Sequence, residues 1–210
     1  MEVSIENVSK TIKQAEILTD INLKMCGGKV YGLQGQNGSG KTMLMRMIAG
    51  LIRPTTGDVK INGDILGETK DFPTSMGILI ENPAFLPNYT GLKNLELLAG
   101  IQARVNDSQI RQTLANVGLN PSDRRKVRKY SLGMKQRLGI AAAIMEQPDL
   151  ILLDEPTNAL DIAGVKQIYN LICRERERGA LIVLASHDAE VLKNVSDEIF
   201  TIRDGRILQD

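Results

Sequence analysis

The stretch Gly35-Gln36-Asn37-Gly38-Ser39-Gly40-Lys41-Thr42 fits the pattern G-x-x-x-x-G-K-[ST], a spacing suited to holding the phosphates of a nucleotide. Its glycines let successive backbone N–H groups converge on phosphate oxygens without Cβ clashes. Lys41 is placed to reach the β- and γ-phosphates, and Thr42 to offer a hydroxyl to Mg²⁺. Met43 opens the helical pattern that follows and belongs with the loop as a nucleotide contact.

Two acids stand at the end of a second apolar run, Leu150-Ile151-Leu152-Leu153-Asp154-Glu155. Ligand sites of parallel sheets lie beyond the carboxyl ends of the strands. Asp154 is therefore expected to orient Mg²⁺. Glu155, projecting the opposite way if strand alternation persists, is expected to take a proton from an attacking water. Pro156 turns the chain out of the ladder.

A third constellation is Tyr130-Ser131-Leu132-Gly133-Met134-Lys135-Gln136-Arg137, which leads into the apolar helical run Leu138–Met145. A hydroxyl, unpaired backbone N–H groups and the positive end of a helix dipole then meet at one point. That point is either a plain N-cap or a second anion site.

These groups need elements to position them. Val30-Tyr31-Gly32-Leu33 reads as a buried strand entering the phosphate loop, and Met43 to Leu51 as a helix ended by Arg53-Pro54. Val3, Ile5 and Val8 suggest one strand, and Ile17, Leu18, Ile21 and Leu23 a second. Val59–Ile61, the pair Asn62-Gly63 and Asp64–Leu66 read as a tight hairpin. Ile78–Ile80, Leu150–Leu153, Ala180–Ala185 and Ile199–Ile202 are further strands, the last followed by the turn Asp204-Gly205. Helical patterns cover Leu92–Ala99 and Ser108–Val117, the latter stopped by Gly118. Strands alternating with helices predict an α/β fold with a mostly parallel sheet, an antiparallel β patch near the N-terminus and a helical insertion.

At 210 residues the chain can build one full core or two small subdomains. Hydrophobic residues at 42% with 24% charged predict a soluble globular protein. A net charge of +1 gives no case for a nucleic-acid partner. No apolar run approaches the about 20 residues of a spanning helix, and the N-terminus starts directly into a strand pattern with no signal-peptide core. Cys26 and Cys173 follow no metal or redox spacing, so reduced thiols are expected. The expectation is an intracellular protein that meets a membrane only through a partner.

Taken together, the residues resemble the ATP-binding subunit of ABC transporters over essentially the whole chain. The matching segments are the phosphate loop at 35–42, the signature segment at 130–137, the Asp154-Glu155 strand, Asn158-Ala159-Leu160-Asp161 as the D-loop, and Ser186-His187-Asp188 as the switch-histidine loop. The resemblance implies a single P-loop NTPase domain of ABC type over 1–210, with a helical subdomain at about 82–145. It also implies ATP and Mg²⁺ as ligands, and a γ-phosphate contact by His187, which by itself would pass for a loop residue. Two cassettes, identical or different, would pair head to tail. Each ATP would then touch the partner copy's Ser131, Gly133 and Met134. A separately encoded transmembrane permease would hold the pair peripherally on the inner face of the cell membrane.

Four departures from the family pattern carry expectations. Ser9-Lys10-Thr11-Ile12 lacks the usual aromatic platform for adenine, leaving Ile12 as an apolar contact and predicting weak base selectivity. Glu81 stands where the family has a glutamine, and is expected to do its job at the metal and in catalysis. Leu132 and Met134 replace small signature residues. The sequence reaches its end soon after Ile207-Leu208, and the expectation is a cassette without a regulatory extension. The phrases Gly77-Ile78-Leu79-Ile80-Glu81-Asn82-Pro83 and Tyr130 to Gln136 resemble the bacterial branch that exports bacitracin, lantibiotics and related antimicrobial peptides. A soluble ABC-type ATPase and an ATP-gated switch that hydrolyses poorly are the rival readings.

Two surfaces stay open at this level. Phe85-Leu86-Pro87-Asn88-Tyr89 would either face a membrane partner or pack within the helical insertion. Arg124–Lys129 is a solvated face or a contact for lipid headgroups. Cys173–Arg178 reads as a charge-laced helix end.

Overall fold

The structure is a computed structural model that describes residues 1–81 and 83–208. Asn82, at the expected start of the helical insertion, lies outside the described residues.

Two sheets carry the fold. The first is antiparallel, in the order β2-β1-β4-β5, from β1 (Glu2–Ile12), β2 (Ala15–Cys26), β4 (Thr56–Ile61) and β5 (Asp64–Ile65). The β4–β5 turn is the one its residues demand: Asn62 and Gly63 both have positive φ, 52° and 86°.

The second sheet runs β10-β9-β3-β8-β7-β6. Its strands are β3 (Val30–Gln34), β6 (Met76–Leu79), β7 (Leu150–Asp154), β8 (Leu181–Ser186), β9 (Glu198–Arg203) and β10 (Arg206–Leu208). All pairings are parallel except β9–β10, a hairpin at one edge. Strands β3, β7 and β8 lie inside the sheet and bury both faces, which is why they read as unbroken apolar runs rather than alternations. Leu150 and Leu152 face a core shared with β1, β2 and the helix after β3. Ile151 and Leu153 face a second core on the other side.

That helix, α1 (Lys41–Ile48), is shorter than expected. Ala49 caps it and Gly50 reverses the chain at φ 76°, four residues before the proline that the sequence reading credited. Between β6 and β7 the chain passes through α2 (Gly91–Gln102), α3 (Asp107–Asn116), a 3₁₀ turn at Val127–Lys129 and α4 (Leu132–Ile144). Helix α3 starts with a full capping box, Asn106 and Gln109 each satisfying the other's backbone N–H. Helix α4 starts six residues before the apolar run at Leu138, directly after Ser131.

Two further helices are α5 (Ile162–Glu177), of which the sequence signals only the end, and α6 (Ala189–Val195), which it does not signal. The charged run Cys173–Arg178 is the end of α5, whose buried stripe, Gly164, Ile168, Leu171 and Ile172, is diluted by polar residues. Phe85 packs on the core beside α2, while Leu86 and Tyr89 are about half exposed. No helix among the described residues is long and apolar enough to cross a membrane.

Candidate functional site

The phosphate loop sits between β3 and α1. Gly38 and Gly40 take φ of 83° and 111°, backbone that a side chain would strain. A Cβ on Gly35 would lie 2.4 Å from the Ile202 carbonyl oxygen, so that position also needs glycine. Lys41 is 6% exposed, and its Nζ donates to the loop's own carbonyls, Gly35 O at 2.6 Å and Gln36 O at 3.0 Å. To reach a phosphate it must trade these bonds for charge-assisted ones. Ser39 Oγ is buried with no hydrogen-bond partner among the described residues, a donor suited to a phosphate oxygen.

Thr42 Oγ1 donates to Asp154 Oδ2 at 2.6 Å, joining the loop to the end of β7. Burial pushes the Asp154 carboxyl above its ordinary range; the Thr42 hydrogen bond opposes this and the charge of Glu155 adds to it. Two hard oxygens thus meet beneath the loop. No cluster of three or more His, Cys, Asp or Glu suited to a metal exists among the described residues.

Glu155 is not aimed by strand alternation, as the sequence reading supposed. Its N–H still bonds Ala185 O at 2.9 Å, but β7 ends at Asp154 and Glu155 turns to φ 47°. Left-handed backbone on a non-glycine residue persists only where its surroundings hold it. They do so here. The carboxylate accepts from Ser186 Oγ at 3.2 Å and from the His187 N–H at 2.9 Å, and His187 Nδ1 lies 2.8 Å from the same oxygen.

Glu81 follows β6 with φ 61° and pairs with Arg46 of α1, Nη2 to Oε1 at 2.5 Å. Arg46 was missed in the sequence. Nothing in the spacing of residues 46 and 81 signals that α1 and the end of β6 come together.

Two neighbouring cavities hold most of these groups. One of about 360 Å³ is lined by Ile17, Asn37, Gly38, Gly40, Lys41, Thr42, Met43, Arg46, Glu81, Asp154 and Glu155. The other, about 560 Å³, runs from Gln34–Ser39 past His187 to Thr201–Asp204. Ile12 lines neither. It pairs with Ala15 at the tip of the β1–β2 hairpin, 39% exposed, and Ile17 is the apolar residue beside the loop.

Ser131, Gly133 and Met134 also stay outside both cavities. Ser131 is the N-cap of α4 and accepts from Met134 N at 3.2 Å. Gly133 packs against Ala159 of the 158–161 loop, where a Cβ would come within 2.6 Å of the Ala159 carbonyl oxygen. Ser131, Gly133 and Met134 therefore cluster at the start of α4 beside the 158–161 loop, apart from the groups that line the phosphate-loop cavities.

A family model described as ABC transporter matches residues 18–158, well over half of the chain. The chain belongs to the ABC transporter family. It is an ATP-binding, ATP-hydrolysing cassette. Similar proteins include the ABC transporter ATP-binding protein YybJ of Bacillus subtilis (strain 168), 43% identical over 205 residues, 98% of this chain and 94% of that one. The bacitracin transport ATP-binding protein BcrA of Enterococcus faecalis is 38% identical over 99% of this chain and 68% of its own. The lantibiotic transport ATP-binding protein SrtF of Streptococcus pyogenes is 34% identical over 98% and 89%. Among solved structures, a dimeric ATP-binding cassette in a post-hydrolysis state with ADP and Pi superimposes with a TM-score of 0.88 at 27% identity, covering 99% of this chain and 97% of that one.

Proposed function

We propose that this cassette drives a separately encoded transmembrane permease that exports an antimicrobial peptide, an antibiotic or a similar compound. The similarity to BcrA and SrtF, named as bacitracin and lantibiotic transport proteins, supports the cargo class. The cassette would work as a pair, peripheral on the cytoplasmic face of the membrane. Residues 1–210 would form one domain, with the helices between β6 and β7 as its inserted lobe.

The observation that carries the chemistry is the joining of Thr42 to Asp154 beneath the phosphate loop, with Glu155 beside them. Two oxygens with room for phosphate and water suit Mg²⁺, which keeps several waters. Thr42 and Asp154 would hold it, with Glu81 within the same cavity. When bound, Mg²⁺ neutralises charge on the β- and γ-phosphate oxygens. Residues Gly35 to Met43 would hold the nucleotide, Lys41 leaving its loop carbonyls to bind β- and γ-oxygens. Ile12 is the candidate for the base.

Glu155 would accept a proton from the attacking water, its carboxylate steadied by Ser186 and His187. His187, bonded to Glu155 and lining the loop's second cavity, would contact the γ-phosphate. Ser131, Gly133 and Met134, out of reach of their own loop, would complete the partner copy's site.

Substituting Glu155→Gln should abolish Mg²⁺-dependent turnover and leave an ATP-bound dimer on size exclusion. Full turnover in that variant would refute the assignment. Purification from membranes should bring a permease with the wild-type chain; a cassette that hydrolyses ATP but never associates with one would refute the transport role.

A further inference from the structure

Gln136 is a buried residue of α4 that none of the roles above uses. It is 9% exposed, and its Nε2 donates to the main-chain carbonyl of Glu155 at 3.0 Å. We propose that Gln136 is a positioning residue for hydrolysis: its amide fixes the backbone of Glu155, and so ties the signature end of α4 to the catalytic carboxylate of the same chain. This rests on the role given above to Glu155.

Glu155 needs support on both sides of its α-carbon to stay at φ 47°. On the N-terminal side, its N–H continues the β7–β8 ladder through Ala185 O. On the C-terminal side, its carbonyl accepts from Gln136 Nε2 at 3.0 Å and from Asn158 N at 3.2 Å. Asn158 belongs to the same loop and moves with it. Gln136 is the group that refers the carbonyl to a separate rigid element. Without it the peptide after Glu155 can rotate, carrying the carboxylate away from Ser186 and His187.

Neighbouring contacts make α4 a firm reference. Arg137 donates to Val117 O at 2.6 Å and to Gln167 Oε1 at 2.8 Å, and its Nη2 lies 3.3 Å from Asp161 Oδ1, the N-cap of α5. Gly133 rests on Ala159. The first turns of α4 and the 155–161 loop are therefore one packed unit. A ligand pressing on Ser131 or Gly133 is one hydrogen bond from Glu155.

The test uses three variants of the full chain. Gln136→Met keeps the length without a donor, Gln136→Glu keeps the shape with an acceptor only, and Gln136→His restores an N–H of similar reach. For Gln136→Met, kcat should fall about tenfold with KM for ATP moved less than about twofold, the split expected when only transition-state geometry is lost. Gln136→His should recover most of the loss. Two readouts besides turnover accompany this. Hydrogen exchange of the 155–160 amides should quicken in Gln136→Met and return towards wild type in Gln136→His. ATP-driven dimer formation in a Glu155→Gln background should survive Gln136→Met.

If Gln136→Met does not fold, Gln136→Glu carries the same expectations. Unchanged kcat in a folded donor-less variant overturns the proposal. So does an equal loss in Gln136→His, or a joint loss of ATP binding and turnover, since each marks a merely structural role. A wild-type chain that folds and binds ATP without turnover would overturn the hydrolytic reading as well; failure confined to Gln136 leaves that reading standing.

Discussion

Replacing Gly133 with alanine tests the close approach of the signature segment to the 158–161 loop, and Gly100→Ala supplies its internal control. Both glycines lie in helices at ordinary φ, so each substitution gains the helical preference of alanine, about 0.5–1 kcal/mol in a helix interior. At Gly100 a Cβ meets nothing within 4 Å. At Gly133 it meets the Ala159 carbonyl oxygen at 2.6 Å, while ordinary contact begins at 3.4 Å, so the loop must retreat by roughly 0.8 Å. The obstacle is backbone, which cannot step aside by a rotamer change. Ala159 itself sits at φ 62°, in a loop pinned through Glu155 and Asp161. Overpacking of this kind costs about 1–3 kcal/mol, which outweighs the helical gain, itself smaller so near the N-terminus of α4.

For a chain of this size about 1 kcal/mol moves Tm by roughly 2–4 °C. Thermal unfolding should therefore place Gly100→Ala about 2 °C above wild type and Gly133→Ala about 4 °C below. ATPase turnover of Gly100→Ala should match wild type. That of Gly133→Ala should fall by tens of fold, since about 1 Å of misplacement near a reacting group can cost about a hundredfold. A Gly133→Ala chain as stable as Gly100→Ala and equally active would refute the reasoning.

Other outcomes follow from the same geometry. Glu81→Gln should keep turnover within about twofold, because an amide oxygen can still accept from Arg46, whereas Glu81→Ala should raise the Mg²⁺ needed for half-maximal turnover by about tenfold. Equal behaviour of all three chains would remove Glu81 from the site. Titration of nucleotide binding should give comparable affinities for ATP and GTP, since no aromatic residue stands at Ile12; strong discrimination would sink this. Burial raises the Asp154 carboxyl pKa on folding, so stability linked to this group is fully present below about 3.8 and is lost as pH rises through the folded value. The Tm of Asp154→Asn relative to wild type should therefore climb over that window and then level off; a difference flat with pH would contradict the burial effect.

Much of this protein was legible in its residues because the signals were local. A phosphate loop is a contiguous backbone device, so eight residues and the flanking strand and helix patterns suffice to read it. Buried parallel strands announce themselves as apolar runs, and Asn62-Gly63 selects its turn by positive φ alone. Helix α6, and all of α5 but its charged end, were missed for the converse reason. Their apolar stripes are short and mixed with charge, and packing against the sheet rather than local pattern makes them helical. The end of α1 was misattributed because Gly50 and Pro54 both signal a stop, and only the folded chain shows which acts first.

What the sequence alone determined is the set of groups proposed for the chemistry: Lys41, Thr42, Asp154, Glu155, His187 and the capped helix start at Ser131. Tertiary structure decided how they are aimed. Glu155 leaves the strand by a left-handed turn, Glu81 is paired to Arg46, and Gln136 reaches back from the signature helix to the Glu155 carbonyl. The last two join residues 35 and 19 positions apart, through helices α1 and α4 packed against the sheet. No local pattern encodes such distances, which is why Ser131 could be named from the sequence as the start of α4, while the link from that helix to Glu155 could be seen only in the fold.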